Sequence, residues 1–197
     1  MLTLREPEPM TPRLIYVVGA SGSGKDSLMG YARNALAHED RVAFAHRYIT
    51  RTANAGGENH VALSPEEFES RRKARLFAMH WGSHDHCYGI GIEINQWLAK
   101  GITVVVNGSR EYLAEAAKLY PELAPVWIEA SPAVLQQRLE ARGRENADQI
   151  QARLERNAAV QMGAQRGTVI CNDGALHSAG DALVQCIRAT MGAVPCV

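Results

Sequence analysis

Residues 19–27 read Gly-Ala-Ser-Gly-Ser-Gly-Lys-Asp-Ser, and they decide the fold. They match the phosphate-binding pattern G-x-x-x-x-G-K-[ST] at every position but the last, where Asp26 takes the hydroxyl slot and Ser27 follows. Gly19, Gly22 and Gly24 let the chain turn so that successive backbone N–H groups face one anion. Lys25 adds a point charge for the terminal phosphates, and a helix starting there adds the positive end of its dipole. The preceding run, Leu14-Ile15-Tyr16-Val17-Val18, reads as a buried strand, which is the context such a loop requires. An ordinary Gly/Ser turn is the bland alternative, and a Gly-Lys pair set between a strand and a helix argues against it. The stretch Gly19, Ala20, Ser21, Gly22, Ser23, Gly24, Lys25, Asp26 and Ser27 therefore predicts a nucleoside triphosphate site, with ATP as its ligand.

Outward from this loop, strand and helix patterns alternate, which predicts an α/β protein of P-loop NTPase fold, a parallel sheet with helices on both faces. The first helix is expected from Asp26 to about Ala37, and a second strand over Val42–His46. From Arg47 to about Trp97 the pattern turns irregular, as an inserted substrate module would. Inside it, Ser64-Pro65-Glu66-Glu67 is a capping box opening a helix to about Arg75. Phe77–Trp81 and Cys87–Ile90 are short strand candidates, and Glu93–Lys100 a helix stopped by Gly101. Thr103–Val106 returns to the main sheet and delivers Asn107-Gly108-Ser109-Arg110 at its carboxyl end. Pro125–Glu129 is a further strand, followed by Ser131 as N-cap and Pro132 at the first helical position. Two helices flank Arg142-Gly143-Arg144-Glu145, Thr168–Cys171 is the last strand, and Asp181–Met191 closes the chain as a helix. Residues 1–12 are expected to form a loose leader, and 13–197 a single domain. Its core spans 13–46 and 101–197, its acceptor-binding module about 47–100, and its lid about 139–150. Ligands of such sheets bind beyond the carboxyl ends of the strands, where the loop at 19–25, Arg47, residues 107–110 and Asn172 would gather.

Composition sets the bounds. A chain of 197 residues accommodates one such domain with an insertion. With 46% hydrophobic and 21% charged residues it reads as an ordinary globular protein. Net charge is zero, so no global field draws it to nucleic acid or to an anionic membrane, and basic sites must be local. Neither a nucleic-acid nor a membrane partner is expected. Cys87, Cys171, Cys186 and Cys196 show no C-x-x-C spacing, which predicts reduced thiols and a cytoplasmic location.

Arginines stand at element ends: Arg47 and Arg51, Arg110, then Arg138, Arg142 and Arg144 around a helix break. Any one of them is as readily a solvated face, but their grouping suits clamps on the oxygen charge of a phosphoryl group. Arg142-Gly143-Arg144 is built like a mobile lid that brings arginines to the transferring group.

The loop, Thr50-Arg51, the capping-box helix, Tyr88-Gly89, the lid arginines and Asn172-Asp173 resemble guanylate kinases and related nucleoside monophosphate kinases in the same order, from residue 14 to about 190. The strings at 22–27, 45–51, 58–60, 88–89, 106–110 and 142–147 resemble more closely a sister family, the ribose 1,5-bisphosphate phosphokinases of bacterial phosphonate breakdown. That resemblance implies transfer of the γ-phosphoryl of ATP, with Mg²⁺, to ribose 1,5-bisphosphate, giving 5-phosphoribosyl 1-diphosphate. Lys25, Arg142 and Arg144 would be catalytic, and Arg138 and Asn172 would join the loop in binding ATP, Asn172 at the adenine pocket. Arg47, Arg51, His60, Tyr88, Asn107, Ser109 and Arg110 would hold the phosphosugar. It leaves a monomer and a homodimer equally open. The alternatives are a nucleoside monophosphate kinase and a non-catalytic binding module of the same fold, and Lys25, Arg142 and Arg144 speak against the latter.

Departures from guanylate kinases accompany these matches. Asn54 stands where a second acceptor-phosphate arginine is usual, His60 where a tyrosine is, and Met79 where a glutamate reads the guanine edge. A site without that carboxylate loses much of its discrimination for guanine. Asn107 replaces a common acidic residue. Two readings of Asp26 stand side by side. It restores a carboxylate for Mg²⁺, alone or with Ser27, or it compensates the helix N-terminus. Glu58 and Asn59 are turn residues or sugar-hydroxyl ligands, and Trp81 and Trp97 are read as packing. His80, His84, His86 and Cys87 have metal-ligand residue types at a spacing that fits no zinc pattern, so a surface hairpin is the preferred account.

Overall fold

A computed structural model describes residues 14–53, 58, 60–83, 85–143, 148, 150–152, 154–155 and 167–191. The apolar run at 14–18 becomes β1 (Leu14–Gly19), the middle strand of a five-stranded parallel sheet ordered β2-β7-β1-β8-β9. The other strands of that sheet are β2 (Val42–Phe44), β7 (Thr103–Asn107), β8 (Ala124–Glu129) and β9 (Thr168–Cys171), of which β7 and β8 flank β1. Near-continuous apolar strands of this kind are what a sheet covered on both faces requires. Alternate side chains of β1 serve opposite faces. Ile15 and Val17 join Leu28, Met29 and Ala32 of α1 (Lys25–Ala35) and Leu183, Val184 and Ile187 of α6 (Leu176–Thr190). Leu14, Tyr16 and Val18 instead meet Ile94 of α3 (Glu93–Ala99), Ala116 of α4 (Leu113–Leu119), Met79 and Ile90. Each fully buried Leu or Ile contributes about 2 kcal/mol of transfer free energy, so these two layers hold the core.

Residues 47–91, irregular in sequence, build a second sheet ordered β4-β3-β6-β5. Its strands are β3 (Arg47–Ile49), β4 (Val61–Ala62), β5 (Phe77–Ser83) and β6 (His86–Gly91). The two strand candidates form the antiparallel hairpin β5–β6, with Trp81 opposite Tyr88. The N-cap half of the capping box forms: Ser64 Oγ accepts from the Glu67 N–H at 3.1 Å and opens α2 (Pro65–Lys73), while the Glu67 carboxylate accepts from Arg71 at 2.7 Å. Phe68 of α2 stacks on Phe77, which in turn lies where a side chain at Gly89 would sit. Strands β3 and β4 are too short, at three and two residues, to announce themselves by period-two patterning.

Three further differences from the sequence expectation have local causes. Helix α4 was not anticipated; its seven residues follow Tyr112, an N-cap without a side-chain cap hydrogen bond. Helix α6 begins at Leu176 rather than Asp181. Gly180 lies inside it, and a Cβ there would fall 2.5 Å from the Tyr31 ring of α1. The second strand stops at Phe44 rather than His46. Pro132 does open α5 (Pro132–Arg142) with Ser131 at the N-cap, although Ser131 makes no side-chain cap bond; its N–H donates instead to Asp173 at 2.7 Å. Gly143 ends that helix at φ 59. Among the described residues no helix is long and apolar enough to cross a membrane.

Candidate active site

Because the strands of the main sheet are parallel, their carboxyl ends emerge on one side. There the loop after β1, the loop after β7 and the start of β3 line one cleft. Its walls carry Gly19, Ala20, Ser21, Gly22, Gly24, Lys25, Asp26 and Ser27 on one side and Arg47, Tyr88, Ser109 and Arg110 on the other.

The loop at 19–24 is held from behind. Gly22 and Gly24 have φ of 91 and 82, a conformation side chains avoid, and a Cβ on Gly24 would collide with the Asn172 amide. Asn172, buried at the end of β9, donates its amide to the Ser23 carbonyl at 2.6 Å. Arg138 of α5 donates to the same carbonyl at 3.3 Å and to the Asn172 carbonyl at 2.8 Å. Ser23 is itself fully buried. Arg138, Ser23 and Asn172 thus sit beneath the loop rather than in the cleft, and in this arrangement they set the curvature of the anion-binding backbone.

Lys25 and Asp26 open α1 and form an ion pair at 3.1 Å. The Lys25 ammonium also donates to Asn107 Oδ1 at the end of β7. Burial pushes the Lys25 pKa below its ordinary value, helped by Arg47, while Asp26 and Glu58 oppose the shift. For Asp26, burial alone would raise the pKa. Lys25 and Arg47, with hydrogen bonds from Lys25 and Asn107, outweigh it and hold the carboxyl at about 2. An ionised carboxylate on the cleft wall, next to Ser27, fits a hard cation such as Mg²⁺, which takes one or two protein oxygens beside phosphates. Asn107, 4% exposed, also donates to Asp26 at 2.9 Å and to Glu58 at 3.0 Å. It faces a smaller cavity behind the cleft, lined in part by Asp26, Arg33 and Glu58.

At that smaller cavity a single carboxylate pairs with two arginines. Glu58 accepts from Arg47 Nε at 2.5 Å and from Arg47 Nη2, and lies 3.8 Å from Arg51 Nη2. Arg47 also stacks over Tyr88, 5.0 Å from the ring centroid. Tyr88 is parallel to Trp81 within 4°, and Trp81 stacks on Tyr112 at the head of α4. This column ties the second sheet to the main domain, and Trp81 also lines the cleft, so it does more than fill space. Both ring nitrogens of His60 face backbone carbonyls, those of Glu58 and Arg51, each at 3.2 Å. His60 therefore spans the loop rather than lining the cleft.

Sequence reasoning passed over Tyr16. Its ring is wholly buried in β1, and its hydroxyl accepts from the Ser109 N–H at 3.0 Å and donates to the Ser109 carbonyl at 3.3 Å. Burial raises its pKa to about 12. Gly108 must lack a side chain because a Cβ would intrude on that same ring. A lone phenol within an otherwise aliphatic strand was the available signal. Arg144, Asn54, Asn59 and His84, with the side chain of Arg142, lie outside the described residues. Among the described residues no three His, Cys, Asp or Glu side chains converge as a metal site.

The guanylate kinase family model matches residues 11–190. A ribose 1,5-bisphosphate phosphokinase of Thiobacillus denitrificans is 56% identical over 173 residues, which covers 88% of this chain and 91% of that protein. One from Yersinia pestis is 54% identical over 167 residues, covering 84% and 86% respectively. A solved guanylate kinase from Anaplasma phagocytophilum superposes with a TM-score of 0.71 at 14% identity, across 92% of this chain and 87% of that one. Identity that low speaks to the fold alone.

Proposed function

The chain belongs to the guanylate kinase family, and from that premise we propose that it is a kinase moving the γ-phosphoryl of ATP onto the 1-phosphate of ribose 1,5-bisphosphate. The product is 5-phosphoribosyl 1-diphosphate, formed in the breakdown of organic phosphonates. The acceptor is the one for which the curated relatives are named. The structural observation that supports it is Met79. At the position where guanylate kinases carry the guanine-reading carboxylate, this side chain is 1% exposed and packed in the core. A purine edge would meet no acceptor there, and a missing polar partner is what a site selective for guanine tolerates least.

In the reaction a phosphate oxygen on C1 of the sugar attacks the γ-phosphorus, an O–P bond forms, and the β,γ-bridging bond breaks to release ADP. The attacking oxygen is already ionised, so no general base is needed and catalysis rests on positioning and charge stabilisation. The 19–24 amides and Lys25 hold the β- and γ-phosphates, for which Lys25 exchanges its present partners Asp26 and Asn107. Arg47, Arg51 and Arg110 take the two acceptor phosphates, with Tyr88, Asn107, Ser109 and His60 shaping their surroundings. The second sheet with α2 is the acceptor-binding module, and residues 139–150 the lid, from which Arg142 and Arg144 close over the transferring group. Asp26 with Ser27 would hold Mg²⁺, which when bound neutralises charge on the β- and γ-oxygens. Steady-state assays with ATP and either ribose 1,5-bisphosphate or GMP test the reading. A higher kcat/KM with the bisphosphate is expected, and preference for GMP would refute it.

A further inference from the structure

Glu58 is the densest polar node in the cleft region, and the mechanism above gives it no task. Its Oε1 accepts from both Arg47 Nε and Asn107 Nδ2, at 2.5 and 3.0 Å, and its Oε2 faces Arg47 Nη2 and Arg51 Nη2. The Glu58 and Arg47 side chains are only 10% and 11% exposed, which makes this a sheltered pair rather than a surface contact. The hydrogen bonds occupy one edge of the Arg47 guanidinium and turn the rest of it toward the cleft that Arg47 lines. Arg51 keeps a buried Nε with no partner among the described residues, a donor that an incoming phosphate would satisfy. His60 bridges the Glu58 and Arg51 carbonyls, so the loop that presents the carboxylate is anchored at both ends.

We propose that Glu58 is the positioning residue of the acceptor site, fixing Arg47 and Arg51 so that their remaining donors converge on one phosphate of the sugar. The inference rests on the acceptor role given to those arginines above. It makes an unusual demand on sign. A carboxylate near a bisphosphate repels it, so if only charge counted, removing it would tighten acceptor binding. If Glu58 works by holding the arginines in place, removing its charge weakens acceptor binding even though the site becomes more positive.

The test is Glu58→Gln in the full chain, assayed with ribose 1,5-bisphosphate and ATP. The expected result is an acceptor KM raised about tenfold, the loss of one charge-assisted contact, with the ATP KM unchanged. In an Arg47→Lys background, where the two-pronged contact is already gone, the same change should add little. Should the Gln variant not fold, Glu58→Asp, which keeps the charge but shortens its reach, should show the same selective rise in acceptor KM. An acceptor KM that stays level or falls, or an ATP KM that rises equally, overturns the proposal. If the wild type uses GMP instead, the substrate reading fails while Glu58 is still judged with that acceptor, which brings a phosphate to the same arginines.

Discussion

The two walls of the cleft are made differently. The wall around the loop at 19–24 is mostly backbone: glycines at φ of 91 and 82, a helix start, and a supporting layer of Asn172 and Arg138 bonded to main-chain carbonyls. The facing wall is mostly side chain: Arg47 from β3, Tyr88 from a hairpin, and Ser109 and Arg110 after β7, with Glu58 holding Arg47 and lying near Arg51. A backbone site is specified by a short string, because its geometry is local. A side-chain site is specified by packing, because each charge is placed by something distant. Tyr16 shows the contrast at closest range. It belongs to the strand that launches the donor loop, yet its hydroxyl holds Ser109 on the acceptor side.

If the walls are as separate as this, their substitutions should separate too. The largest effect belongs to Lys25→Met, which removes the ammonium at the start of α1 to which the proposal gives the β- and γ-phosphates. It should lower kcat about a thousandfold while calorimetry still detects acceptor binding; loss of both would mean the walls are not independent. Arg47→Ala should raise the acceptor KM about a hundredfold, as for removing one partner of a buried charge pair, with the ATP KM near wild type. A change in the ATP KM alone would place Arg47 on the wrong wall. Tyr16→Phe should cost about 1 kcal/mol in denaturant unfolding, the net worth of a hydrogen bond, and should raise the acceptor KM only a fewfold. The smallest effect is one of pH. Asp26 has a folded-state pKa of about 2 against an ordinary 3.8. Its contribution to stability is therefore complete above pH 3.8 and is lost as the pH falls toward 2. The stability difference between wild type and Asp26→Asn should be flat at higher pH and shrink through that window. A difference that shrinks only near neutrality would contradict the assignment.

The same division explains what could be read in advance. The parallel sheet, the loop and the helix it opens were legible, because apolar runs such as 14–18 and 103–106 and a glycine string carry their structure locally. The second sheet was legible only as an interruption. Strands β3 and β4 are two or three residues long and exist through pairing with β6 and with each other. Glu58 was left between a turn residue and a sugar ligand, since nothing in its neighbourhood foretells that Arg47 and Arg51 converge on it. Asn172 and Arg138 also bond main-chain carbonyls under the loop, contacts that have no sequence signature.

The central claim is the acceptor, and phosphorus NMR of the wild-type reaction tests it most directly. With ATP, Mg²⁺ and ribose 1,5-bisphosphate, the 1-phosphate resonance should disappear as a coupled diphosphate pair and ADP grow in together, while GMP under the same conditions remains largely unconverted. A persistent 1-phosphate signal beside rapid formation of GDP would contradict the account.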